Sequence, residues 1–298
     1  MATAPQRGGT VSLALLFSPG YSGFRSGAGV IRNFIALAFA FAVLAAITSP
    51  TRAQPVDLEL VLAVDVSGSI DFEEARLQRQ GYMAAFLDPV VLGAIASGPI
   101  GRIAVTYIEW AGAFSRTHTV DWMIVDGPTN AERFVAALED ASLHRGRYTS
   151  ISGAIEFALP MFEQNGFESD RQVIDVSGDG PNNSGRLVDE ARDIAGFAGV
   201  TVNGLAIIND RPNPFGIPQM KDLDIYFEHC VIAGPGAFVV VAEGFNDFGN
   251  AIRRKLILEI AGRMPDNIHR AQGYEPPPCD IGERMIQQFR GLRFFDTF

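Results

Sequence analysis

Residues 61–71 read VLAVDVSGSID. Four apolar residues run straight into Asp65, and Ser67 and Ser69 follow at alternate positions. A run that is apolar without alternation and ends in small polar residues is the pattern of a strand buried on both faces. Val56–Val64 is therefore expected to be a central parallel strand. The oxygens at 65, 67 and 69 have two readings. They close the strand and open a helix, with Ser69 as its cap, or they converge on a ligand.

Outward from this stretch, strand and helix patterns alternate. A helix is expected over about 71–87, with Asp71, Glu73 and Glu74 favourably placed in its first turn. Strands follow at 101–110 and, less apolar and so edge-like, at 118–125. Helical patterns cover 130–141 and the stretch beginning near Thr149 or Ser150. A strand at 171–176 leads into the loop SGDGPNNSG, a helix at 186–195 and a strand at 200–207. A short helix at 222–230, a strand at 237–241 and a helix at 245–261 complete the series. In the last helix Phe248, Ile252, Leu256 and Ile260 recur on one face. This alternation gives an α/β fold, doubly wound and Rossmann-like, with a mostly parallel central sheet and helices on both faces. Ligands in such sheets bind beyond the carboxyl ends of the strands. Asp65 and Asp179 both fall there.

The first 53 residues differ from the rest. They hold four arginines, no acid, and an unbroken apolar run from Phe34 to Ile47. That run is short for a membrane span and suits the core of a signal peptide, with small residues Thr51 and Ala53 before a cut after Ala53. The rival is an uncleaved anchor to which VSLALLF contributes. The expected organisation is a signal peptide over 1–53, a domain over 54–262, and a tail over 263–298 whose MIQQFRGLRFF segment can dock. Export to the periplasm or beyond is the expected destination, with no membrane insertion after cleavage. Without the four arginines, 20 basic side chains face 34 acids, and the formal charge moves from -10 to -14. Such a chain repels nucleic acid and tolerates divalent cations. Its two cysteines, Cys230 and Cys279, either pair in an oxidising compartment or stay as buried thiols.

Three separated segments bring oxygens to the carboxyl edge: Asp65, Ser67 and Ser69; Thr149 in GRYTSISGAI; and Asp179 in VIDVSGDGPNN. Carboxylates and hydroxyls without cysteine or histidine form a hard-cation set, suited to Mg²⁺, with Ca²⁺ or Mn²⁺ as alternatives. Caps and turns explain each residue singly. A nucleotide site fits poorly, since GxxxxGK[ST] and GxGxxG are both lacking.

DVSGS resembles the DxSxS motif of von Willebrand factor A domains, and the later threonine and Asp-Gly resemble the rest of their metal-ion-dependent adhesion site. The likeness covers about 56–262. It implies an antiparallel edge strand, in keeping with the weak strand at 118–125. It also implies that Ser67, Ser69 and Thr149 ligate through hydroxyls, while Asp65 and Asp179 bind directly or through water. The remaining position would go to a partner protein's Glu or Asp. GRYTSISGAI, VIDVSGDGPNN and VIAGPGAFVVV resemble, more particularly, an uncharacterised family of exported proteobacterial proteins. Asp175 departs from the aliphatic residue expected inside that strand. It has two readings, a support behind the metal ligands or an acid satisfied at the strand end.

An enzyme would need a nucleophile with its base. His118, His144, His229 and His269 stand in no motif that supplies one. Asp65 as a phosphatase-like nucleophile lacks a second acid two residues on, where Ser67 stands. The expected function is therefore a metal-dependent, adhesion-type binding module. A metal-dependent hydrolase and a structural domain whose ion fastens three loops are the alternatives. Tyr148 and Trp110 are candidates to frame the contact surface, although Trp110 can equally pack beneath the loops.

Overall fold

The computed structural model describes residues 53–163, 165–209, 219–262 and 275–295. The expected signal segment up to residue 52 and the tail stretch 263–274 lie outside them. Among the described residues no helix is long and apolar enough to cross a membrane.

Six strands form one sheet: β1 (Glu59–Asp65), β2 (Ile103–Trp110), β3 (Arg116–Val125), β4 (Gln172–Gly178), β5 (Thr201–Ile208) and β6 (Val239–Glu243). Their order is β3-β2-β1-β4-β5-β6, with every neighbour parallel except β3, which runs antiparallel to β2. All seven residues of β1 are buried, as the unbroken apolar run requires of a strand covered on both faces. Most of β3 is only partly buried, as befits an edge. Two-residue strands Gln54–Pro55 and Phe167–Glu168 pair separately.

The helices are α1 (Phe72–Phe86), α2 (Pro89–Ala96), α3 (Pro128–Asp140), α4 (Ile151–Ala158), α5 (Val188–Phe197), α6 (Leu223–Tyr226), α7 (Phe248–Ala261) and α8 (Ile281–Phe295). Side chains alternate across the sheet. Leu60, Leu62 and Val64 face α1, α2, α3 and α7, whereas Val61 and Ala63 face α4, α5 and α6. The doubly wound α/β arrangement with an antiparallel edge strand is thus the observed fold.

Ser69 does not cap α1. Asp71 does, accepting from the backbone N–H groups of Glu73 and Glu74 while the Glu74 carboxylate accepts from the Asp71 N–H. A carboxylate with a glutamate three residues on makes the better reciprocal cap, which leaves Ser69 free for the sheet edge. Ser150, not Thr149, caps α4. The segment Pro89–Ala96, unassigned on periodicity, is a helix capped by Asp88. Cys230 and Cys279 form a disulfide, with Cα atoms 5.4 Å apart, so the reading of two thiols is corrected.

Candidate metal centre

Parallel neighbours β1 and β4 end side by side, so the loops after Asp65 and Gly178 leave the same edge. Gly178 allows this closeness: a Cβ there would come within 3.2 Å of Asp65 Oδ2 and 3.5 Å of the Trp110 ring. The Asp65 backbone carbonyl accepts from Gln78 Nε2 of α1 at 3.1 Å, and its Oδ1 accepts from the Ser67 N–H at 2.7 Å. The chain therefore turns around the carboxylate and sends the next two hydroxyls to the same side.

All five oxygen-bearing side chains meet here. Ser67 and Ser69 hydroxyls lie 3.0 Å apart, Ser69 donates to Asp179 Oδ1 at 2.7 Å, and Thr149 donates to Ser67 Oγ at 3.4 Å. Asp65, Ser67, Thr149 and Asp179 are buried, and Ser69 is half-buried.

Thr149 reaches the site because its loop is held at both ends. Buried Glu109, at the end of β2, takes Arg79 Nη2 at 2.5 Å and the His144 N–H at 3.2 Å. Arg79 in turn donates to the carbonyls of Ala141 and Ser142. Beyond this clasp Tyr148 adopts φ 65°, the only left-handed non-glycine residue among those described. That conformation costs on the order of 1 kcal/mol and turns the chain at the residue before Thr149. Asn183 then fixes Thr149 from across the cleft, with two bonds of 2.8 Å between the Thr149 backbone and the Asn183 side chain and backbone. Asn183, Gln78 and Gln219, which donates to Asp179 Oδ2 at 3.3 Å, were not expected as supports. The NN pair after GDGP is the one trace of them in the sequence.

Two carboxylates buried this close disfavour their own ionisation. Burial, then the charge of Asp179, holds the Asp65 carboxyl well above its ordinary range. Burial raises Asp179 to about 6, with the charge of Glu74 adding to the effect against the Ser69 hydrogen bond. Asp65 Oδ2 is buried with no hydrogen-bond partner. An orphaned, buried, acceptor-only atom beside a second carboxylate is the donor set a divalent cation satisfies. The residues present therefore fit a hard cation, held through hydroxyls and carboxylates. Among the described residues no cluster of three or more His, Cys, Asp or Glu offers another kind of metal site.

Asp175 is fully buried on the α7 side of the sheet, 2.5 Å from Lys255 Nζ. No hydrogen bond among the described residues joins it to the five-oxygen cluster. Trp110 is fully buried beneath the loops, whereas Tyr148 stands 41% exposed at the rim. His118 bonds Thr106 Oγ1 on the edge strands, and His144 belongs to the Glu109 clasp. His229 offers its carbonyl to Arg192, and His269 lies outside the described residues.

Among solved structures, the chain is similar to proximal thread matrix protein 1 from the mussel byssus, with 13% identity and a TM-score of 0.47. That match covers 70% of this chain and 46% of the other. It is similar to the pilus adhesin SpaC from Lactobacillus rhamnosus GG, with 14% identity over 69% of this chain and 31% of that one, at a TM-score of 0.48. The chain thus spans less than half the length of either. A third likeness, to the conserved hypothetical protein BatB from Bacteroides thetaiotaomicron, has 21% identity and a TM-score of 0.43. It covers 69% of this chain and 99% of BatB. A comparison with curated proteins finds no matching sequence. The family described as "Protein of unknown function (DUF1194)" matches residues 55–264; that span contains the whole sheet and all five oxygen positions, and the chain belongs to this family.

Proposed function

We propose that this protein is an exported, cell-envelope binding module that holds a divalent cation, Mg²⁺ foremost, and presents it to an acidic residue of a partner protein. The observation that carries the reading is the convergence of Asp65, Ser67, Ser69, Thr149 and Asp179 from three loops, with one buried carboxylate oxygen of Asp65 left without a hydrogen-bond partner. Hydroxyls supply coordination without charge, and only two carboxylates oppose the ion's two positive charges. The bound ion would supply Lewis acidity toward a further carboxylate. The chain's own residues hold the hydroxyls in register, through Asn183 on Thr149 and Ser67 on Asp65.

Binding is favoured over catalysis because no histidine among the described residues reaches the cluster to activate water or a serine.

The test is thermal unfolding and calorimetric titration with Mg²⁺ and Mn²⁺. Wild type should gain several degrees in Tm at millimolar Mg²⁺ and lose them in EDTA, because a ligand of the folded state stabilises it by mass action. Asp179→Ala should show no such gain. Equal melting of wild type with Mg²⁺ and with EDTA would sink the proposal. Capture of a periplasmic partner should require the ion and be lost in Asp65→Ala and Ser67→Ala. A stability response to the ion without ion-dependent capture would instead identify a loop fastener.

A further inference from the structure

The mouth of the oxygen cluster is covered by the chain itself. Ser69, Thr149 and Asp179 line one side of a cavity of about 70 Å³, and Met285, Ile286 and Phe289 of α8 line the other. A cleft of this size has room for an ion or water molecules beside the helix.

The sequence of α8 is built for this contact. Gly282, Met285, Ile286 and Phe289 fall at helical spacing on one face, while Arg284, Gln287 and Gln288 are exposed on the other. At Gly282 the helix lies so close to the 181–183 loop that an added Cβ would collide with the carbonyl oxygen of Asn182. Buried Asn182 joins the two pieces: its Nδ2 donates to Glu283 Oε1 at 2.6 Å, and its Oδ1 accepts from the Ser152 N–H at 3.0 Å. The Tyr226 hydroxyl accepts from the Asn182 N–H and donates to the Cys279 carbonyl. Immediately before the helix, the Cys230–Cys279 disulfide ties the segment to the domain.

The rest of the contact is light. Met285, Ile286 and Phe289 remain half-exposed, and the roof they form offers the cluster no oxygen ligand. An apolar face docked beside the Ser69, Thr149 and Asp179 oxygens, supplying no ligand of its own, is a blocking arrangement rather than a completing one.

We propose that α8 is a displaceable cover: tethered by the disulfide, it closes the cleft over the oxygen cluster, and a partner's carboxylate enters only when the helix lifts. The proposal rests on the metal-site reading for what lies beneath the cover, but the cover itself is measurable without metal.

The experiment compares three forms of the full exported chain: oxidised wild type, oxidised Gly282→Val, and the Cys230→Ser/Cys279→Ser double variant. Backbone hydrogen exchange is followed at 179–183 and 281–289, and release of Mn²⁺ into excess EDTA is timed. Gly282→Val should raise exchange in both segments about tenfold or more while the sheet strands keep their protection. Mn²⁺ release should quicken by a similar factor. The double variant, which keeps the glycine contact and loses the tether, should change in the same direction by less. Exchange within about twofold of wild type in both variants overturns the cover. Faster exchange with unchanged Mn²⁺ release overturns its role as a gate. A chain that binds no Mn²⁺ in any form refutes the metal reading instead, and the exchange data alone then decide the cover.

Discussion

Lys255→Met will destabilise the folded domain by about 3–5 kcal/mol, the range for stranding a buried charge by deleting its partner. Lys255 is fully buried on α7, and its Nζ lies 2.5 Å from Asp175 Oδ1 and 2.5 Å from Glu259 Oε1. Asn203 adds a hydrogen bond of 2.9 Å to the same Glu259 oxygen. Methionine fills similar volume, so the loss reports the charge and not a cavity. Urea unfolding at pH 7.5 measures it, and a loss below about 1 kcal/mol would show that the two acids do not depend on this cation.

The same cluster sets a pH dependence. Burial, followed by the charge of Glu259, raises Asp175 to about 7 from its ordinary 3.8, against the pull of Lys255. A carboxyl whose folded pKa is raised binds its proton more tightly in the folded chain. Its contribution therefore favours folding most at low pH, declines as pH rises from about 4 to about 7, and is level above that. Asp175→Asn keeps the neutral Lys255–Glu259 pair and removes the titrating member. The variant should lose this slope between about pH 4 and 7 and match or exceed wild-type stability at pH 8. A slope equal to that of wild type would place the titration elsewhere.

This cluster also marks the limit of what the sequence declares. The apolar run into Asp65 announces β1, because a strand covered on both faces has no alternation to hide. The stripe Phe248, Ile252, Leu256, Ile260 announces α7. Lys255 and Glu259 ride the same helix at four-residue spacing, a pattern that ordinarily means a solvated ion pair. Only the position of β4 beneath α7 shows that Asp175 draws both inward. Asp175 has the alternation parity of Ser177 and Asp179, yet a strand sends alternate side chains to one face, and this face is covered by α7. Ser69 was legible as an oxygen donor but not as free of the cap, since choosing between Ser69 and Asp71 needs the reach of Glu74. The MIQQFRGLRFF segment shows helical apolar spacing, but what it covers depends on the disulfide and on Gly282 meeting a carbonyl 100 residues earlier in the chain.

Asp65→Asn will reverse its effect on stability with the metal. In EDTA at pH 7.5 the variant should be more stable than wild type by about 1–3 kcal/mol, or roughly 2–10 °C in Tm. Its amide oxygen can keep the 2.7 Å bond from the Ser67 N–H, while the buried repulsion with Asp179 disappears. The new amide N–H₂ replaces an oxygen that has no hydrogen-bond partner, Oδ2. At millimolar Mg²⁺ the order should invert. Wild type should then gain RT ln(1 + [Mg²⁺]/Kd), about 2.7 kcal/mol at a hundredfold excess over Kd, and the variant should gain little, having lost one of the two carboxylates proposed to hold the ion. Melting curves with and without Mg²⁺ at matched ionic strength give all four values. A variant less stable than wild type in EDTA would mean that Asp65 serves the metal-free fold. A variant that gains as much from Mg²⁺ as wild type would mean that the ion is held elsewhere. The crossing of the two orders is the signature of a carboxylate kept at a cost to the fold for the sake of what it binds.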